Sequence, residues 1–135
     1  MELKIFNKEN SSLVKTGEAT VRINTTAGLI SFSKDATQLL GIAKDSKISF
    51  AQDSKNKEDW YIFQDAEKGF TVRINTDSSG SDFNSTPLAK EIMMSVDKSF
   101  IAAGFKISKT SIEHEGKNYF LLITASPLNP KKQPI

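Results

Sequence analysis

Two stretches of this chain spell the same five residues, Val21-Arg22-Ile23-Asn24-Thr25 and Val72-Arg73-Ile74-Asn75-Thr76. A second match follows in the same order. The segment from Lys47-Ile48-Ser49 to Trp60-Tyr61-Ile62-Phe63-Gln64-Asp65-Ala66 aligns without a gap on Lys106-Ile107-Ser108 to Tyr119-Phe120-Leu121-Leu122-Ile123-Thr124-Ala125. Collinear matches are the signature of an internal repeat, and a repeat restricts the chain to folds in which one supersecondary unit occurs twice. The expectation is an α+β, strand-rich single domain, a barrel or a pair of packed sheets, from two degenerate strand–helix–strand–strand repeats with two helices. Repeat one covers 19–66 and repeat two 70–126, inside one duplicated domain spanning 1–126. Residues 127–135 hold three prolines and Lys131-Lys132, and are expected to form a flexible tail.

Alternation and end signals place the elements. Val21, Ile23 and Thr25 face one way and Arg22 and Asn24 the other, and Val72 to Asn75 repeats that parity. Leu29 to Phe32, Lys47 to Gln52, Trp60 to Asp65 and Phe70 to Asn75 read as strands. Phe105 to Glu115 and Asn118 to Ala125 read as a hairpin around Gly116-Lys117. Leu3 to Phe6 is expected to add an edge strand. Ser33 caps a short helix over Lys34 to Leu40 that Gly41 stops. Thr86 caps a longer one, with Pro87 at its first position and an end near Ala103. Leu88, Ile92, Val96 and Phe100 recur at fourfold spacing and give it one buried face. Asn7 to Glu18 and the Ser-, Asp- and Gly-rich Thr76 to Ser85 read as loops.

Composition bounds the chemistry. With 135 residues, 38% of them apolar, and nine Phe, there is material for one packed core. No cysteine is present, so thiolate zinc sites, disulfides and thiol nucleophiles are excluded. The first residues lack the long apolar core of a signal peptide, no apolar run is long enough to span a bilayer, and a cytoplasmic location is expected. The N-x-S/T patterns at Asn10, Asn24 and Asn84 are read as chance. A net charge of +2 neither demands nor forbids a polyanionic partner, so the placement of charge must decide.

Of 18 basic residues only Arg22 and Arg73 are arginines, and they hold equivalent repeat positions, each two residues from Asn24 or Asn75 on the same strand face. A planar guanidinium suits phosphates or base edges, and an asparagine amide suits bases. Lys47 and Lys106 form another equivalent pair. The competing reading pairs the arginines with sheet carboxylates.

Residues Ala19 to Phe50 also carry a pattern: Thr20-Val21-Arg22-Ile23, Gly28-Leu29-Ile30-Ser31-Phe32-Ser33-Lys34, Leu39-Leu40-Gly41-Ile42 and Asp45-Ser46-Lys47-Ile48-Ser49-Phe50. This resembles an AbrB-type swapped-hairpin domain over about a quarter of the chain. The resemblance implies a DNA-binding barrel of a strand, a Gly-led second strand, a short helix ending in Leu-Gly-Ile and a third strand. The chain departs from it at three places: Leu29 stands where the family has a basic residue, Ser33 where it has proline, and Asp45-Ser46 where it has a Gly-Asp turn.

Other groups carry less. Trp60, Tyr61, Phe63, Tyr119 and Phe120 lie on paired strands and could stack on bases, although alternating aromatics of a duplicated sheet are usually core. By parity Tyr61 and Phe120 are the ones expected to face outward. His114, between Glu113 and Glu115, has no second histidine for a triad or metal site and is read as a solvated turn residue. Asp77 and Asp82 lack the ligand spacing and closing glutamate of a calcium loop. No catalytic constellation, cofactor motif or metal site is found. The function read from these residues is non-enzymatic nucleic-acid binding, to DNA or RNA, by a DNA-binding regulator or a single-strand binder. Its candidate contacts are Arg22, Asn24, Lys34, Lys47, Arg73, Asn75 and Lys106. The alternative is a structural or protein-interaction module, an assembly subunit with a protein partner or a homo-oligomer. No membrane role is expected.

Overall fold

Val21 and Ile23 are fully buried whereas Arg22 and Asn24 are only half-covered, the one-in, one-out alternation of a strand with a single face on a core. The computed structural model describes residues 2–3 and 18–133. In it about half of the described residues form strands: β1 (Thr20–Asn24), β2 (Leu29–Phe32), β3 (Lys47–Gln52), β4 (Trp60–Gln64), β5 (Phe70–Thr71), β6 (Arg73–Ile74), β7 (Ser81–Asn84), β8 (Phe100–His114) and β9 (Lys117–Lys132). Two helices, α1 (Lys34–Leu39) and α2 (Thr86–Val96), complete it. The edge strand expected at Leu3 to Phe6 and the loop expected at Asn7 to Glu18 lie, but for their end residues Leu3 and Glu18, outside the described residues.

All nine strands form one sheet in the order β5-β3-β4-β9-β8-β1-β2-β7-β6, and every neighbouring pair is antiparallel. β5 and β6 stand at opposite edges of that order, yet only Val72 separates them in the chain. Phe70 and Thr71 pair with β3, the Val72 amide donates to the Ser46 carbonyl at 3.0 Å, and Arg73 and Ile74 pair with β7. One extended segment therefore touches both edges and curls the sheet into a nearly closed barrel. Two registers recur within it: Arg22 opposite Ser31 is matched by Arg73 opposite Asp82, and Thr20 opposite Lys106 by Thr71 opposite Lys47.

Inside lie Val21, Ile23, Ile30, Phe32, Ile48, Ile62, Phe83, Phe105 and Leu122, closed over by Ile92 and Met93 of α2. The rings of Phe32, Phe50 and Phe83 sit 6.2–6.4 Å apart at its centre. Two polar contacts are enclosed with them. The Thr37 and Ser81 hydroxyls share a hydrogen bond of 2.9 Å, and the Trp60 indole N–H donates to Ser95 Oγ at 2.8 Å, tying α2 to β4. Pairing such groups removes the cost of leaving them dry.

Several boundaries differ from the sequence reading, some for local reasons and some through pairing with distant strands. Ser85, not Thr86, caps α2: its side chain accepts from the Leu88 amide. The helix stops at Val96 rather than near Ala103, because Asp97 adopts an extended backbone and takes hydrogen bonds from Ser99 N and Oγ. Phe100 is buried as the first residue of β8 instead of on a fifth helical turn. Within the supposed loop 76–85, Ser81–Asn84 form β7 beside β2, with buried Ser81 and Phe83 alternating with Asp82 and Asn84. The hairpin turn centres on Glu115 and Gly116, both at positive φ (52° and 79°), as a tight turn between twisted strands needs. β9 continues from that turn through Pro127 to Lys132, in place of a flexible tail, and the Gln133 amide donates to the Ser99 carbonyl.

Candidate nucleic-acid interface

The outer face of the sheet is divided in two. On the β1, β2, β7 and β6 side, direct cross-strand partners place Arg22, Ser31, Asp82 and Arg73 in one row. Parity turns all four away from the core. Arg73 is the more exposed arginine, with 58% of its side chain accessible, and its fork is already engaged. Nε donates to Asp82 Oδ1 at 2.8 Å and Nη2 to the Asn84 side-chain oxygen. Asn75 Nδ2 donates to the other carboxylate oxygen of Asp82 at 3.0 Å, so two candidate contacts converge on one anion belonging to the protein. Arg22 donates to the Leu128 and Asn129 carbonyls of β9 at 3.3 and 3.1 Å. Asn24 accepts from the Thr26 and Ala27 amides, closing the turn into β2. These hydrogen bonds are made within the protein, at close range for Asn24 and across the sheet to β9 for Arg22.

The lysines are dispersed. Lys106 lies on β8 opposite Thr20, its Nζ 3.5 Å from Glu18. Lys34 is exposed at the start of α1. Lys47 sits on β3, on the other half of the sheet. The seven candidates thus split into four Arg/Asn residues, each bonded to other groups of the protein, and three separated lysines.

The other half of the outer face, made by β3, β4, β9 and the β8 hairpin arm, has a different chemistry. Trp60 and Ile62 point into the core, so Tyr61 and Phe63 point out. Buried Leu122 fixes the phase of β9 in the same way, turning Tyr119 and Leu121 outward while Phe120 packs against the core. Phe120, expected outward, is thus turned toward the core and partly buried, and Phe63 and Tyr119, expected inside, are turned outward and half-exposed. The Phe63 and Tyr119 rings are 4.6 Å apart, and Ile112 on β8, 57% exposed, is the cross-strand partner of Tyr119.

Cations run along one border. Lys117 Nζ stands 5.3 Å from the centre of the Phe63 ring, a cation–π distance, and 3.8 Å from Asp65. Lys47 lies on the same border, its carbonyl accepting from the Asp65 amide. His114 pairs with Lys117 across the turn and sets its ring edge on Tyr119 at 6.1 Å. Asp65 is held ionised, its carboxyl below the ordinary range because the Ser49 hydroxyl and the Lys68 amide donate to it and Lys117 stands beside it.

Sequence reasoning found Tyr61 and Lys47 but missed Phe63, Tyr119, Ile112 and Lys117. The available signal was Leu122, which sets the parity of Tyr119 to Ile123 around it. Among the described residues no group of three or more His, Cys, Asp or Glu is placed to hold a metal ion, and no helix is long and apolar enough to cross a membrane. Comparison with protein families, with curated proteins and with solved structures finds no match to this chain.

Proposed function

We propose that this chain is a non-enzymatic nucleic-acid-binding protein whose contact surface is the aromatic half of the sheet rather than the arginine row. One observation carries this reading. The solvent face of an antiparallel sheet is normally polar, as it is around Arg22 and Arg73, yet β4 and β9 present Tyr61, Phe63 and Tyr119 there, bordered by Lys47, Lys117 and His114. Flat π faces beside cations match the two parts of a nucleotide, and a polyanion recruited this way binds less tightly as salt rises. The test is fluorescence anisotropy with labelled single- and double-stranded oligonucleotides at low and moderate salt. Absence of salt-sensitive binding to any of them refutes the reading.

A duplicated origin is part of the same proposal. It is supported by the recurring registers, and by an exchange in which β1 of the first repeat pairs with β8 of the second while β5 of the second pairs with β3 of the first. That exchange is what a fused AbrB-type swapped hairpin requires. In this chain the strand faces of the duplicated Arg-x-Asn motif serve the barrel itself. The second functional reading, a protein-interaction module, is favoured by Ile112, whose exposed side chain a protein partner would cover.

A further inference from the structure

On the aromatic face, Tyr61 and Tyr119 form part of the wall of an open pocket of about 430 Å³, completed by Ala51, Gln52, Asp53, Ile112 and His114. Resting on the nucleic-acid reading above, we infer that this pocket takes one unpaired base of a single strand while the adjoining phosphates lie along Lys117 and Lys47.

Three features of the pocket point to that occupant. First, its lining combines two half-exposed phenol rings with one aliphatic side chain, surfaces that a flat heteroaromatic ring can stack on. Second, its polar groups are segregated. Gln52 and Asp53 enter from the β3–β4 end, where Gln52 Nε2 donates to the Lys57 carbonyl and Asp53 Oδ1 accepts from the Lys55 and Asn56 amides. Their remaining oxygens are the groups for a base edge. His114 lines the other side, next to the border where Lys117 stands with Asp65 and Phe63. A nucleotide has the same polarity, with a neutral, hydrogen-bonding base at one end and an anionic phosphate at the other. Third, the pocket opens on the outer face of the sheet, between β3, β4, β9 and the β8 arm. A duplex keeps its base faces stacked inside and would meet such a surface only through its backbone, leaving the tyrosines without a partner; an unpaired strand can turn a base out onto them.

The deciding experiment titrates the full chain with a fluorescein-labelled single-stranded oligonucleotide and its duplex at low salt. Wild type is compared with Tyr61→Ala, Tyr119→Ala, Ile112→Asp and Arg22→Ala/Arg73→Ala. Ile112→Asp is included because that side chain lies outside the core, so the variant folds even if a tyrosine variant does not. Single strands are expected to bind at least about tenfold tighter than duplex, since each stacked base contributes on that scale. Each of the first three variants should weaken single-strand binding by about tenfold, while the double arginine variant binds as wild type does. Equal affinity for duplex and single strand overturns the inference, as does unchanged single-strand binding by folded Ile112→Asp and Tyr119→Ala. Either result leaves nucleic-acid binding standing on another surface. Binding to no oligonucleotide, with self-association that Ile112→Asp abolishes, overturns both readings in favour of a protein partner.

Discussion

Gly28 shows how tightly single positions are constrained. Its φ is +63°, and its carbonyl accepts from the Ser85 amide at 2.7 Å, so the turn leading into β2 is pressed against the cap of α2. A Cβ at this position would lie 2.8 Å from the Thr86 backbone nitrogen and closer still to its hydroxyl. Gly28→Ala combines left-handed strain with a backbone clash, and should cost about 2 kcal/mol or more in urea unfolding. Gly116 is the contrast. It shares a positive φ, but a Cβ there would meet nothing within 4 Å, so alanine at 116 should cost only the conformational part, about 1 kcal/mol. Gly116 is visible in the sequence as a turn signal, and Gly28 as the residue that leads a strand. The proximity of α2 that separates them is not, because it joins residues far apart in the chain.

The elements divide in the same way between local and distant causes. α1, β2 and β3 can be read almost to the residue, because Ser33, Gly41 and short alternating runs act within a few positions. Periodicity extends α2 too far, because Leu88, Ile92, Val96 and Phe100 satisfy helical spacing although Phe100 reaches the core from a strand. The one local warning is Asp97 followed by Ser99, a pair that bonds its own backbone. The end of β9 is hidden by Pro127 and Pro130. Prolines are tolerated there because β4 pairs with β9 only as far as Leu122, which leaves one side of the later residues without a ladder to serve. This stretch carries weight: Leu128 packs over Gly104, and the Leu128 and Asn129 carbonyls hold Arg22. A chain ending at Ser126 should lose on the order of 2 kcal/mol in urea unfolding, and Arg22→Ala should cost less in that background than in the full chain. Additive losses would show that Arg22 works independently of the strand end.

At the scale of the molecule, two hydrogen-bonded carboxylates tie stability to pH. Asp65 and Asp97 both titrate below the ordinary carboxyl value of 3.8, Asp65 chiefly through the Ser49 hydroxyl and Asp97 chiefly through the Ser99 hydroxyl. A lowered folded-state pKa means that the folded chain binds fewer protons than the unfolded one in this range. The stabilisation is therefore complete above about pH 4 and is lost as pH falls further. Urea midpoints measured from about pH 6 to pH 3 should fall with acidity, and Asp65→Asn should flatten the slope. The candidate interface is only half legible in the sequence for a reason at this same scale. The arginine motif repeats in the sequence, but whether a guanidinium is available depends on Asp82 of the paired strand β7 and on the far end of β9, which strand pairing brings to it.

The segment Phe70 to Ile74 gives that closure an unusual location. A ring is generally shut where two ends meet, whereas this one is fastened at a link in the middle of its own chain. Cutting the backbone near Val72 would part the two fastenings from each other, while cutting the Glu115-Gly116 turn would leave them joined.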